Sequence, residues 1–470
     1  GEYQARAHKF IEEMFGSSHT FRAGTISGFA EKNAQAMVAK YFEKQDKFTT
    51  QAEISRLSQG LIGVKRTTGQ HPGGIVVVPK ERDIYDFTPI QHPADKRDGG
   101  TVTTHFDFNA MHDTILKLDV LGHDDPTMLK MLGDLTGIDV RTIQIPDEKV
   151  MSLFCSTEAL GIPDGSSPAD SATLGLPEMG TFMARDMIRE TRPTRFFDLV
   201  QLMGLSHGTD VWKGNAQELI RSGICTINDV IGCRDSIMTW LIHQGLPNKA
   251  SFDIMEKVRK GKGLSPEHEQ LMRDNQVPDW YIDSCKKIKY MFPKAHAAAY
   301  TISSLRIAWF KVYHPEAYYS AYFTVRADEF DSSLMVRPAA AVSRTRADLK
   351  SRFREVSDRE QKIYYIIELV EEMQLRGIDF LPIDLYTSAA TAFAIDSPGK
   401  IRPPLNAIPG ISPAIAEAIV AARADGPFLS RDELARRAAI GQSAIATLAA
   451  AGCLDGMPES AQIDLFSLLA

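Results

Sequence analysis

The sequence predicts an α+β chain that is mainly helical and built from several domains. Its 470 residues, at roughly 100–200 per domain, amount to two to four domains. Short β-branched runs are confined to residues 71–125, and some lie too close together for crossover helices, so they form a small α+β unit and no parallel βαβ series. From Pro126 to about Arg376 helical patterns dominate, broken by Pro and Gly.

Residues 1–60 read as mostly helical. Ala7, Phe10, Ile11 and Met14 recur at helical spacing, Phe29–Phe42 is a second helix, and Thr49 or Thr50 caps a third over Ala52–Leu57. His71-Pro-Gly-Gly74 reads as a turn before a strand at Ile75–Val78. Thr101–Phe106 and Ile115–Leu121 are further strands, and Ala339–Leu369 is a charged amphipathic helical pair. After Gly377 come β-like stretches at Ile383–Leu385 and Phe393–Ile395, then a compact Ala-rich helical unit over Pro403–Asp455.

Composition narrows the function classes. Apolar residues at 44% and charged residues at 24% exclude global disorder. The 53 Lys and Arg against 60 Asp and Glu give a net charge of −7, which excludes a uniformly basic nucleic-acid coat but leaves room for a local basic patch. No apolar run approaches the ~20 residues that span a bilayer. Five cysteines fit a reducing cytosol better than a disulfide framework. The chain opens on Gly1 with no initiating Met, as a piece of a longer protein would.

Several residues can carry chemistry. Asp119 ends an apolar strand, where a carboxylate is costly to bury unless it is paired or binds a metal; Lys117 shares its strand face. Lys-x-Asp at a cleft suits divalent-metal phosphoryl chemistry, and a structural ion pair is the alternative. His105, Asp107, Asp119 and His123 raise a competing metallohydrolase reading without a strong metal-binding spacing. Ser284–Pro315 carries Lys286, Lys287, Lys289, Lys294, Arg306 and Lys311 with no Asp or Glu, interleaved with aromatics. Such a patch binds phosphates and stacks on bases, or else is a buried helix with snorkelling lysines. Lys257, Arg259, Lys260 and Lys262 form a Gly-broken basic loop. Gly410, Ile411 and Ser412 before an Ala-rich helix fit a helix-hairpin-helix, with a degenerate second copy at Ala439–Gly441. A non-enzymatic DNA-binding and tethering protein would need only these hairpins and the tail. That tail holds Gln462, Ile463, Asp464, Leu465 and Phe466, a peptide suited to an apolar pocket. Cys225, Cys233 and Cys285 could gather to hold Zn²⁺, with inert buried thiols the ordinary alternative.

These pieces together resemble one family, the PolC-type alpha subunit of bacterial DNA polymerase III. The matching words include Gly1-Glu-Tyr-Gln4, Thr68-Gly-Gln-His-Pro-Gly-Gly74, Lys117-Leu-Asp-Val-Leu-Gly-His-Asp-Asp-Pro126, Gly204-Leu-Ser-His-Gly-Thr-Asp-Val-Trp212, Gly232-Cys-Arg-Asp235, Val258-Arg-Lys-Gly-Lys-Gly263 and Lys289-Tyr-Met-Phe-Pro-Lys-Ala-His-Ala-Ala-Ala-Tyr300. The resemblance implies a partial polymerase β-like nucleotidyltransferase palm at 1–16 and 67–125 and a thumb at 17–66. It implies fingers at 126–372, a duplex-binding tandem helix-hairpin-helix domain at 373–456 and a clamp-binding tail at 457–470. It makes Asp119 the third metal-binding aspartate, for a site that uses two Mg²⁺ ions, and Lys117 a contact to nucleotide or primer. It puts Arg234, Lys294, His296 and Tyr300 near the triphosphate and Lys260, Lys262, Gly410, Ile411 and Ser412 on DNA. The partners implied are primer-template DNA, dNTP, the sliding clamp and other replisome subunits, in a cytoplasmic, nucleoid-associated replisome. The family's other two aspartates lie on a Pro-Asp-x-Asp strand just before the equivalent of Gly1, so the fragment is expected to be inactive alone.

Overall fold

The chain divides into two units, Gly1–Thr127 and Met128–Ala470. The computed structural model describes residues 3–95, 101–163, 165, 166, 168, 172–353 and 355–460. The expected clamp peptide, Gln462–Phe466, lies outside the described residues.

The first unit holds α1 (Gln4–Phe15), α2 (Glu31–Lys44) and α3 (Gln51–Gln59) with strands β1 (Thr20–Gly28), β2 (Lys65–Val77), β3 (Ile90–Gln91), β4 (Thr103–Asp107) and β5 (Leu116–Asp119). The sheet runs β3-β4-β1-β2-β5, with β1 and β4 parallel and the other neighbours antiparallel. Its core gathers Ala23, Val76, Val78, Ile84, Met111 and Ile115. The Thr50 hydroxyl accepts the Glu53 N–H and starts α3, as its residue type favours.

Two readings of this unit need correction. Residues 1–60 are less helical than their pattern suggests, because β1 occupies Thr20–Gly28 and is held by β2 on one side and β4 on the other. His71–Gly74 is no turn and lies inside β2. The glycines there serve close packing: a Cβ on Gly73 would stand 2.5 Å from the Val120 carbonyl oxygen, and one on Gly74 would stand 3.0 Å from the Ala23 Cβ.

Helix α4 (Asp124–Thr136) leads from one unit into the next in sequence. The second unit continues with α5 (Glu148–Ser152), α6 (Phe182–Thr191), α7 (Phe196–His207), α8 (Gln217–Arg221), α9 (Arg234–His243) and α10 (Asn248–Arg259). There follow α11 (Pro266–Asp274), α12 (Asp279–Lys287), α13 (Lys294–Tyr313), α14 (Pro315–Val325), α15 (Ser332–Met335), α16 (Ala339–Ser351) and α17 (Asp358–Leu375). A small sheet of β6 (Asp379–Phe380), β7 (Ala394–Ser397) and β8 (Lys400–Arg402) comes next, in the order β6-β8-β7. Ile383–Leu385, expected as β-like, is a turn in which the Asp384 carboxylate accepts the Tyr386 and Thr387 N–H groups.

A second core, centred on Leu405, Ile411, Ile419, Leu434 and Leu448, carries α18 (Pro413–Arg423), α19 (Arg431–Arg437) and α20 (Gln442–Ala450). Two hairpins repeat here. In the first, Gly410 has φ 96° and is followed by buried Ile411; in the second, Ala439 has φ 51° and is followed by buried Ile440. The first hairpin's leading helix is only a single turn, Leu405–Ala407.

Near the C-terminal end of α13 the buried-helix alternative holds and Lys311 is not part of a basic surface. Lys311 is fully buried, and its ammonium donates to the carbonyls of Ala172 (2.8 Å) and Leu174 (2.6 Å) and pairs with Glu372 at 2.8 Å. The Tyr319 hydroxyl donates to the same carboxylate at 2.8 Å. Burial pushes the Lys311 amine down to about 8, against the pull of Glu372. Removing one partner strands the other charge in the core. We expect Lys311→Met to cost about 3–5 kcal/mol in denaturant unfolding. Adding Glu372→Leu should recover much of that loss; an additive double variant would show that the two side chains do not act as a pair.

Candidate active site

In the first unit, β5 pairs with β2 so that Asp119 lies opposite Gly74 and Lys117 opposite Val76. The period of two along the strand brings the Lys117 ammonium within 3.2 Å of the Asp119 carboxylate. The carboxylate is 45% exposed, so the expected cost of deep burial does not arise, while Lys117 is 16% exposed and lies 4.7 Å from the centre of the Phe108 ring. His71 stands 3.8 Å from the same carboxylate oxygen. The Gln4 amide donates to the Pro72 and Val120 carbonyls at 2.8 and 2.6 Å and so ties α1 to the strand ends around Asp119.

An exposed carboxylate oxygen is a suitable ligand for a hard divalent cation. Among the described residues, however, no three His, Cys, Asp or Glu side chains come together to hold a metal. Asp119 fits such a site as one contributor. The metallohydrolase constellation does not assemble: His105 contacts the Gln91 amide at 2.7 Å, Asp107 accepts the Ile26 N–H at 3.4 Å, and His123 pairs with Asp125 at 3.3 Å. Nor do Cys225, Cys233 and Cys285 form a metal-holding group among the described residues. Cys233 and Cys285 are buried free thiols and Cys225 a part-buried one, and desolvation raises all three, Cys233 to about 12.

In the second unit, Arg234, Lys294, His296 and Tyr300 do come together. Arg234 opens α9, and its N–H donates to the Phe292 carbonyl at 3.1 Å, just before α13. The neighbouring Asp235 carboxylate accepts the Lys294 N–H at 2.6 Å and caps α13. Two helix N-termini are thereby laced side by side, with the Asp235 carboxylate between them and 3.9 Å from the Arg234 guanidinium, so that the dipoles and the two cationic side chains share one negative charge. His296 on α13 lies between Phe292 (centroids 4.8 Å apart) and Tyr300 (4.4 Å), with the rings tilted by 32° and 34°. The Lys294 ammonium lies 4.8 Å from the centre of the Phe197 ring on α7.

This junction closes because glycines let backbones meet. A Cβ on Gly204 of α7 would collide with the Gly232 carbonyl, and one on Gly232 with the Gln201 side chain. The Gln201 amide also donates to the Ile227 and Val230 carbonyls at 3.2 and 3.0 Å, which fixes the turn before α9. On the far side, Thr209 donates to the Tyr290 carbonyl at 3.0 Å.

The basic loop joins the same segment. A Cβ on Gly261 would stand 2.5 Å from the Lys289 carbonyl, so the Lys260–Lys262 turn lies against the chain that leads to Phe292. Lys260 and Lys262 are exposed, but Lys260 also pairs with Glu256 at 3.0 Å. Hydrogen bonds from Arg259 first, and then Lys260, hold the Glu256 carboxyl down at about 2. Lys286 and Lys287 are engaged too, with Glu269 at 2.7 Å and the Gly214 carbonyl at 2.8 Å. In the last unit of helices, the Ser412 hydroxyl accepts the Ile415 N–H at the start of α18, beside Gly410 and Ile411.

Sequence reasoning missed His207, Phe197 and Asp235. His207 lies 5.3 Å from Phe292 and 5.6 Å from His296, centre to centre. The word Gly204–Trp212 contains His207, but nothing local says that an imidazole ending an apolar helix faces aromatic rings on another helix.

Known protein families match three stretches in order along the chain. The model for the bacterial DNA polymerase III alpha NTPase domain matches residues 43–122, and that for the alpha subunit finger domain matches residues 125–276. A helix-hairpin-helix motif model matches residues 377–462. The DNA polymerase III PolC-type of Bacillus subtilis (strain 168) is 52% identical over 466 residues, covering 99% of this chain and 32% of that protein. Those of Clostridium perfringens (strain 13 / Type A) and Staphylococcus aureus (strain MW2) are 51% and 50% identical, covering 99% and 100% of this chain and again 32% of each relative. With half of its residues identical throughout its length, the chain belongs to the PolC-type DNA polymerase III family and spans about a third of the length of the relatives it matches.

Proposed function

We propose that this chain is the nucleotide-, metal- and duplex-contacting part of a replicative DNA polymerase of the PolC type. The observation that carries this reading is the convergence of Arg234, Lys294, His296 and Tyr300 at two joined helix N-termini. Arg234 and Lys294 pair with the triphosphate of an incoming dNTP, and the ring tier supports its base or sugar. Asp119 supplies one carboxylate to a Mg²⁺ site completed by residues of the longer protein. Bound there, Mg²⁺ supplies Lewis-acid polarisation of phosphoryl oxygens. Lys117 keeps the Asp119 carboxylate oriented and offers positive charge to the primer end or nucleotide.

The hairpins at Gly410, Ile411 and Ser412 and at Ala439–Gly441 hold duplex backbone through N–H groups at helix starts, without reading sequence. Lys260 and Lys262 contact phosphates of the same primer-template. Gln462, Ile463, Asp464, Leu465 and Phe466 dock into the sliding clamp, and further contacts join other replisome subunits at the nucleoid. Among the described residues no helix is long and apolar enough to cross a membrane.

Three outcomes follow. The isolated chain binds primer-template weakly and does not extend it, since one carboxylate cannot organise a two-ion site; robust extension in a gel assay would contradict this. Asp119→Asn in the longer polymerase abolishes synthesis while DNA binding, read by gel shift, stays; normal synthesis would remove Asp119 from the site. Phe466→Ala weakens clamp binding roughly tenfold or more, as loss of a buried aromatic anchor does, and leaves DNA affinity unchanged; unaltered clamp affinity would show that the anchor lies elsewhere.

A further inference from the structure

We propose that Gln4 is a positioning residue for a divalent-cation site at Asp119: its side-chain amide supplies the last rung between β2 and β5 and so fixes where the Asp119 carboxylate stands. The proposal rests on the metal reading of Asp119 above. Asp119 sits where regular strand pairing runs out. Its partner on β2 is Gly74, and beyond it the Val120 N–H donates to the Gly73 carbonyl at 2.7 Å. Pro72 comes next on β2 and has no N–H to continue the ladder. Among the described residues β5 is also the outermost strand of its sheet, so it is paired on one side only. An aspartate side chain is short and its rotamers are few, so any play in this backbone passes directly to the carboxylate.

The Gln4 amide takes the place of the missing rung. It donates to the Pro72 carbonyl at 2.8 Å and to the Val120 carbonyl at 2.6 Å, so both of its N–H groups are used and one group grips both strands. Val120 follows Asp119 directly, so this grip holds the chain on the C-terminal side of the carboxylate, while the pairs Lys117–Val76 and Leu116–Val77 hold it on the other. Gln4 is the first residue of α1, and buried His8 and Ile11 anchor that helix on the same face, one and two turns on. The side chains that approach the carboxylate, Lys117 and His71, both do so at Oδ1, at 3.2 and 3.8 Å. That leaves Oδ2 as the oxygen for a hard cation. A group that orients a ligand without touching the metal still sets the metal's affinity.

The test is Mn²⁺ binding to the full-length polymerase at saturating primer-template, followed by the electron paramagnetic resonance of the free ion, with Mn²⁺ standing in for Mg²⁺. Asp119→Asn is the reference, and the binding it removes is the binding that belongs to Asp119. Gln4→Met keeps the length of the side chain but has no donor. It should weaken that binding roughly tenfold, with DNA affinity by gel shift unchanged. Synthesis by this variant should be slow at ordinary Mg²⁺ and recover as Mg²⁺ is raised, which a loss of folding would not allow. Gln4→Glu should weaken Mn²⁺ binding as well, although it brings a negative charge towards the cation. Mn²⁺ affinity unchanged in Gln4→Met, or tightened in Gln4→Glu, overturns the positioning role. If Asp119→Asn removes no Mn²⁺ binding, the metal reading itself is wrong; if it does and Gln4→Met leaves that binding intact, only the role of Gln4 falls.

Discussion

The close approach of α7 to the turn before α9 is the constraint on which the rest of the candidate site depends. A helix and a turn can meet backbone to backbone only where side chains are missing, and Gly204 and Gly232 provide that absence on both sides. Once they meet, Gln201 locks the turn, Arg234 begins α9 beside Phe292, and Asp235 caps α13. Arg234, at the head of one helix, is then set beside Lys294, His296 and Tyr300 on another helix far along the sequence.

The sequence made the helical dominance legible, along with the capped start of α3, strands β4 and β5 to within one or two residues at either end, and the double hairpin, because each rests on local pattern. It misread β1 and the run from His71 to Gly74, where long-range pairing between strands overrides local preference. Gly73 and Gly74 looked like turn residues because turn and close packing call on the same missing Cβ. Within the site, Arg234, Lys294, His296 and Tyr300 could be named through family words. Their convergence, and the packing of His207 against them, could not be read, since residues sixty or more positions apart leave no periodic trace.

The net charge of −7 takes on a structure as well. The basic run in α13 divides by burial. Lys294 reaches a surface lined with aromatics, while Lys311 is spent inside, against Glu372 and loop carbonyls. Lys260, Lys286 and Lys287 already have partners, so a phosphate would have to displace one contact at each of them.

The central claim is that the glycine-sealed junction builds the nucleotide site. Gly204→Ala in the full-length polymerase tests it most directly, with dNTP affinity measured beside primer-template affinity and a thermal melt. The added methyl must push the turn away from α7, so dNTP affinity should fall by roughly tenfold or more while DNA affinity is retained and the melt, lowered by the overpacking, stays a single cooperative transition. Unchanged nucleotide affinity in a folded variant would contradict the account.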